Sequence, residues 1–415
     1  MRRFLLSVSL LALACGNAWA PPVVSIWNCT GVAATDTPGL NGLLASTVTA
    51  QPGGGGIVRF HGFCPINASV IAQGNVTLTG DGANNSALLP VSSSFDAVFY
   101  NPPGTSQTQA VNPLVNSPGL TTNAKAIFAD FTIQYPPLTS VPVPAIPYVP
   151  YTGVYAIRMQ SQSNATGATA PTALTQPDIH GIEIYNAPAG IYTRDAGATI
   201  YNVRVMNFAV EGIHLGYLNY PDGGGGKIHH NAITNYLNAT SVCPLLGRGL
   251  IVDVSGKIDH NDFACLFDGI LANLGPSSQL GIADNSFDTM GNTGAWIQRQ
   301  NTSVTFQHFS FTGNKCGAYC LYFRTDGVGS GLGATVWMQG VIVANNEVQG
   351  GCAFYLDGIN TLAVVGNTLL SATCGVNIGP NSTNVLVGPN VHGGSPYPAN
   401  ILQPPASQVT YIPGR

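Results

Sequence analysis

The sequence predicts an all-β solenoid of parallel strands, and three observations predict it. An asparagine-centred segment recurs along the second half of the chain, glycine and proline are abundant, and two pairs of cysteines share one spacing. Of 415 residues only 8% are charged while 45% are hydrophobic, with 50 Gly and 29 Pro. An ordinary soluble domain is about 25% charged, so a helix-rich fold with an ion-paired surface is excluded. The ample apolar share and the net charge of −4 exclude intrinsic disorder. The 14 Lys+Arg lie scattered against 18 Asp+Glu, which leaves no basic footprint for nucleic acid.

The chain opens with Arg2 and Arg3, an apolar run from Phe4 to Ala14 and small residues up to Ala20, the three-part layout of an export signal. That run is too short for a bilayer, which asks for about 20 apolar residues. No later segment reads as a membrane helix. Residues 1–20 are therefore expected to be a signal peptide and the mature protein to be secreted or periplasmic. Cleavage after Ala18 and a lipoprotein use of Cys15 are the rival readings. Without Cys15 eight cysteines remain, an even number where disulfides are permitted.

From residue 228 onward the repeat reads Ile228-x-x-Asn231-x-Ile233, Ile258-x-x-Asn261-x-Phe263, Ile282-x-x-Asn285-x-Phe287, Phe311-x-x-Asn314-x-Cys316, Val343-x-x-Asn346-x-Val348 and Val364-x-x-Asn367-x-Leu369. A weaker copy ends at Asn390, and successive asparagines are 30, 24, 29, 32, 21 and 23 residues apart. A period of that length with insertions means a solenoid. β-Branched and aromatic residues alternate with period two between Gly and Asn, so the coils are β and repeat one strand direction. Rungs about 4.8 Å apart then stack the asparagines at one corner, where each amide can donate to the next. Asn also tolerates the left-handed backbone that a tight corner needs.

The cysteines fit the same arithmetic. Cys243 and Cys265, like Cys352 and Cys374, are 22 residues apart and so occupy one position on neighbouring rungs. That separation suits a disulfide, and both pairs are expected as rung-to-rung staples. Cys29 with Cys64 could staple the N-terminal segment, and Cys316 with Cys320 could close one turn. No pair of CxxC knuckles is present and the histidines do not cluster near the cysteines, so no metal site is expected.

The repeat, together with Gly53-Gly54-Gly55-Gly56-Ile57-Val58-Arg59-Phe60 and Asn75-Val76-Thr77-Leu78-Thr79-Gly80-Asp81-Gly82, resembles the right-handed parallel β-helix proteins of the pectin lyase-like superfamily. The resemblance covers residues 36 to 390 and implies a right-handed parallel β-helix with an N-terminal cap. It does not select a chemistry, because lyases, hydrolases, epimerases and inert adhesins share this coil. One domain is expected over residues 21–395, with a Pro-rich tail over 396–415 draped across the last rung. The turn-rich residues 101–122 and the proline-stiffened stretch 136–150 are expected as excursions walling a groove.

One strand column suggests that groove. Segments opening with a small residue and alternating thereafter include Gly153 to Ile157, Gly181 to Tyr185, Gly212 to Gly216, Gly249 to Asp253, Gly269 to Asn273, Gly294 to Gln298, Cys320 to Arg324, Ala353 to Asp357 and Gly375 to Gly379. Alternation turns the apolar members inward. The first outward column would hold Tyr155, Glu183, His214, Trp296, Tyr322 and Tyr355, and the second Asp253, Asn273, Gln298, Arg324 and Asp357. Aromatic faces beside hydrogen-bonding groups suit a sugar chain, so the expected partner is a polysaccharide bound through Glu183, His214, Asp253, Trp296, Tyr322 and Tyr355. Aromatics paired on an exposed β surface are the plainer alternative.

Asp253 and Asp357 are four rungs apart, about 19 Å, beyond either carboxylate spacing used in glycoside hydrolysis. Asp326 and Asp357 fall on adjacent rungs with Arg324 between them. A hydrolase would make one Asp the acid and the other the nucleophile or base, so Arg324, Asp326 and Asp357 are the candidate catalytic residues. The resemblance also implies a lyase reading with an arginine base, for which Arg324, Arg299 and Arg248 are available. No carboxylate cluster for calcium is visible, and no cofactor is expected. The polygalacturonase motifs Asn-Thr-Asp, Asp-Asp and Gly-His-Gly are missing. The expected function is thus that of a secreted polysaccharide-binding protein that degrades its ligand as a lyase or glycoside hydrolase, with a non-catalytic, tailspike-like surface binding or adhesion protein as the alternative. The glycine run before Lys227 reads as a turn, and His229, His230 and His260 as outward polar residues.

Overall fold

A computed structural model describes residues 22–412 apart from 51–55, 74–75, 102–125, 141, 146–147, 150, 160–176, 194–196, 217–225, 237–242, 254, 275–278, 300–305, 318, 324–337, 371–373, 394–398 and 403. The described residues form 35 strands in one continuous hydrogen-bonded system. Each coil of chain lays down three strands, and each strand pairs in parallel with its counterpart on the next coil. Stack one runs from Val24–Asn28 to Val409–Tyr411. Stack two follows the asparagine corner and ends at Val391–Gly393. Stack three runs from Val70–Gln73 to Ala399–Leu402. The long strands Asp262–Leu274 and Ser286–Arg299 bend and serve stacks two and three.

Inward residues stand in columns. Ile200, Ile228, Ile258, Ile282, Phe311, Val343 and Val364 are in register on successive rungs and are buried. Phe263 and Phe287 stack at 5.2 Å. Burying such a side chain stabilises by about 1.5–3 kcal/mol, so the periodic pattern itself holds the coil together.

The asparagine ladder is present. From Asn231 through Asn261, Asn285, Asn314, Asn346 and Asn367 to Asn390, each amide Nδ2 donates to the Oδ1 of the next at 2.9–3.1 Å. Each backbone N–H donates to that same Oδ1. One expectation is corrected: the left-handed residue of the corner is the one before the ladder asparagine. His230, His260, Asp284, Gly313, Asn345 and Gly366 have φ of 55–71°. That residue turns the chain, which frees the asparagine to point inward and bond along the axis.

Cys243–Cys265 spans adjacent rungs with a Cα separation of 4.8 Å, and Cys29–Cys64 and Cys316–Cys320 are also bonded. Cys352 is disulfide-bonded as well and lies in register with Cys374. The open N-terminal end is capped by the helix Ala33–Ala50. Its Leu40 and Leu44 are buried, and its Thr37 and Asn41 side chains accept from the N–H groups of Asn67 and Ile71. The cap thus satisfies an edge that would otherwise attract another strand. At the other end the Pro-rich segment does more than drape, because Ala399–Leu402 and Val409–Tyr411 add strands to stacks three and one.

Candidate functional site on stack three

The expected column exists on stack three. His214, Ile251, Leu271, Trp296, Tyr322, Tyr355 and Asn377 are register partners on successive rungs. The small residue opening each strand is required, since a Cβ on Gly249 would lie 2.6 Å from the Gly269 carbonyl oxygen. Towards the N-terminus the column is corrected. Tyr192 and Arg158 precede His214, not Tyr155 and Glu183. Glu183 lies on stack two between Thr132 and Arg204, because the alternation of 181–185 follows a corner between stacks one and two. Its carboxylate accepts from the Tyr185 hydroxyl at 2.7 Å. Tyr155 sits just before its strand, buried, with its hydroxyl donating to Glu211.

From His214 to Trp296 the column is closed, whereas an open groove was expected. His214 is 3% exposed and Asp253 is fully buried. Imidazole Nδ1 is 3.0 Å from Glu211 Oε1, and Nε2 is 2.9 Å from Asp253 Oδ2. Burial by itself lowers the His214 pKa, but the charges of Glu211 and Asp253 overcome it and raise the value to about 10. Both ring nitrogens therefore donate at neutral pH. The polar row continues outward, with Asn273 Nδ2 donating to Asp253 Oδ1 at 2.8 Å and Gln298 Nε2 donating to Asn273 Oδ1.

The cover comes from the proline-rich excursion. Tyr148 donates to Glu211 Oε2 at 3.2 Å, lies edge-on to His214 and packs on the cluster of Ile251, Leu271 and Trp296. Arg248 clamps that segment, its Nη2 donating to the Ala145 carbonyl at 2.8 Å while its Nε donates to Asp268 at 2.9 Å. Burial, and then the charge of Glu211, push the Tyr148 and Tyr155 hydroxyls above their ordinary range. Arg248, a possible base by the lyase reading, is thus occupied by a buried ion pair. The sequence pointed to His214 and Asp253 but missed Glu211. Its position three residues before His214 on a strand with a small residue between them was the available signal.

The C-terminal half is open. Tyr322 and Tyr355 are half-buried and stack at 4.9 Å with an interplanar angle of 18°, and Trp296 meets Tyr322 edge to face at 6.1 Å. Because the rings stack along the axis, they turn their edges outward, where faces were expected. Among the described residues Trp296 Nε1 and Asn377 Oδ1 are buried without a hydrogen-bond partner. Asp357 stands at the end of the strand carrying Tyr355 and accepts from Asn381 N at 3.0 Å and Asn381 Nδ2 at 3.1 Å. Arg324, Asp326 and residues 102–122 lie outside the described residues. Among the described residues no group of three His, Cys, Asp or Glu is placed to hold a metal, and no helix is long and apolar enough to cross a membrane.

Residues 155–328 match the family described as a right-handed beta helix region. This chain is a right-handed parallel β-helix protein. No curated protein sequence matches the β-helix. Among solved structures it is similar to the Dettilon tailspike protein, with 13% identity and a TM-score of 0.59 over 94% of this chain and 68% of that one. It is also similar to the tailspike protein of E. coli bacteriophage HK620, described in complex with a pentasaccharide, with 12% identity and a TM-score of 0.54 over 90% of this chain and 66% of that one. These likenesses concern the fold.

Proposed function

We propose that the chain is an exported polysaccharide-binding protein whose groove is the open half of stack three. The observation that carries this is the half-buried registered row Tyr322, Tyr355 and Asn377 beyond the buried Trp296, where among the described residues Trp296 Nε1 and Asn377 Oδ1 lack partners. A buried polar group without a partner costs about 1–3 kcal/mol, which a ligand's hydroxyls would relieve. Phenol edges, the Gln298 amide and these atoms together make a rim of hydrogen-bonding groups one rung apart, which suits a chain of sugars lying along the axis. The pentasaccharide described with the HK620 tailspike is a ligand of that class on a similar fold. Export is supported by the disulfides, since such bonds persist in oxidising compartments.

A second reading is cleavage in the same groove by Arg324, Asp326 and Asp357. The placement of Asp357 at the end of the Tyr355 strand, held by two bonds from Asn381, favours it. In a hydrolase the two aspartates would share acid and nucleophile or base roles, whereas in a lyase Arg324 would serve beside a uronate. Incubation with uronic and neutral polysaccharides separates the readings. Binding without new reducing ends or unsaturated products supports the binding protein. Reducing ends alone mean a hydrolase, and absorbance of unsaturated products means a lyase. Absence of binding to every polysaccharide tested would overturn the proposal.

A further inference from the structure

Stack one carries a different kind of surface from stack three. Two of the four lysines of the chain, Lys227 and Lys257, are register partners on adjacent rungs of its outer face, and both are exposed. Like charges directly opposite one another destabilise a sheet, and a chain this poor in charge has no need to spend two cations on one spot. Lys257 is paired with Asp259 at 2.7 Å. Among the described residues Lys227 makes no ion pair. The two lysines border an open depression of about 710 Å³ that reaches His308 and Ser310.

Beside them runs a row of rings. His180, Tyr201 and His229 are register partners, stacked at 4.8 and 5.2 Å with interplanar angles of 15° and 6°. At the corner His230 stacks on His260 at 5.0 Å. His308 adds a fifth histidine to this part of the face and its corner. Rings stacked along the axis can only turn their edges outward, so the row presents N–H and O–H groups.

We infer that the outer face of stack one is a second binding surface, for an acidic polysaccharide whose carboxylates or sulfates lie over Lys227 and Lys257 and whose hydroxyls meet the histidine and tyrosine edges. This surface is separate from the groove of stack three and does not depend on it. The polyanion is a glycan because carboxylates interrupt the positive charge: Asp178 stands two rungs before Lys227 in the same column, with Thr199 between them, and Asp259 follows His229 in the row of rings and pairs with Lys257, so their oxygens can accept from sugar hydroxyls. A nucleic acid duplex, with a negative charge about every 1.7 Å, would demand uninterrupted positive charge.

The test uses fluorescent oligogalacturonate, a sulfated glucan, a neutral glucan and a DNA oligonucleotide of matched charge, titrated at low salt into the whole protein and the Lys227→Gln, Lys257→Gln double variant. Wild type should bind the acidic glycans and not the neutral one at this site, and the double variant should bind them roughly tenfold more weakly with unchanged melting. Tyr322→Ala with Tyr355→Ala should leave this binding intact, so failure of the groove and failure of this surface are distinguishable. Binding by the double variant within twofold of wild type, no binding of either acidic glycan by wild type, or equal affinity for the DNA would overturn the inference.

Discussion

The two halves of stack three share one column of side chains and end in opposite states. Around His214 the outward residues are charged, paired and covered, while around Tyr322 they are aromatic, stacked and half open. Register decides only which side chains stand above one another. Whether a column becomes core or surface is decided by what the chain lays across it, here the segment carrying Ala145 and Tyr148. A parallel coil can therefore carry a buried ionic lock and an open aromatic row on one continuous face.

His214→Leu should break the covered half with the largest effect. It leaves Glu211 and Asp253 buried without their shared cation, and such a change costs about 3–5 kcal/mol. Urea unfolding should show this as a lowered midpoint. The same lock has a pH signature. Because the folded pKa of about 10 is raised above the unfolded value near 6.5, the stabilisation is complete below pH 6.5 and is lost as pH rises towards 10. The wild-type urea midpoint should fall across that window, and His214→Leu should lack the fall.

The open half should respond in the opposite way. Tyr322→Ala with Tyr355→Ala should weaken polysaccharide binding by about 2 kcal/mol, read by titration. Thermal stability should fall by much less than in His214→Leu. The smallest effect tests the cover itself. Tyr148→Phe removes one hydroxyl that donates to Glu211 and keeps the ring, so it should cost about 1 kcal/mol. A stability loss as large as that of His214→Leu would show that the two carboxylates depend on the cover more than on the imidazole.

Much of the fold was legible because its signals are local and repeated. The asparagine corner, the alternating strands and the 22-residue spacing of Cys243 and Cys265 each reflect one coil laid on the last, and the ladder and that disulfide follow. The site was legible only in part. His214, Trp296, Tyr322 and Tyr355 do share a column, since strand alternation is enough to place them. Glu183 does not, because a short apolar alternation looks the same on stack two as on stack three.

By itself the amino-acid sequence determined the coil, its direction and the residues that repeat along its axis, because those depend on contacts one period apart. Only the tertiary structure decided that Tyr148 seals His214, more than 60 residues further along the chain, and that Tyr322 stays open. The physical reason is that an excursion leaves the periodic pattern. Where it comes to rest depends on the Glu211 carboxylate and an apolar patch two or more rungs further on, and no repeat encodes that meeting.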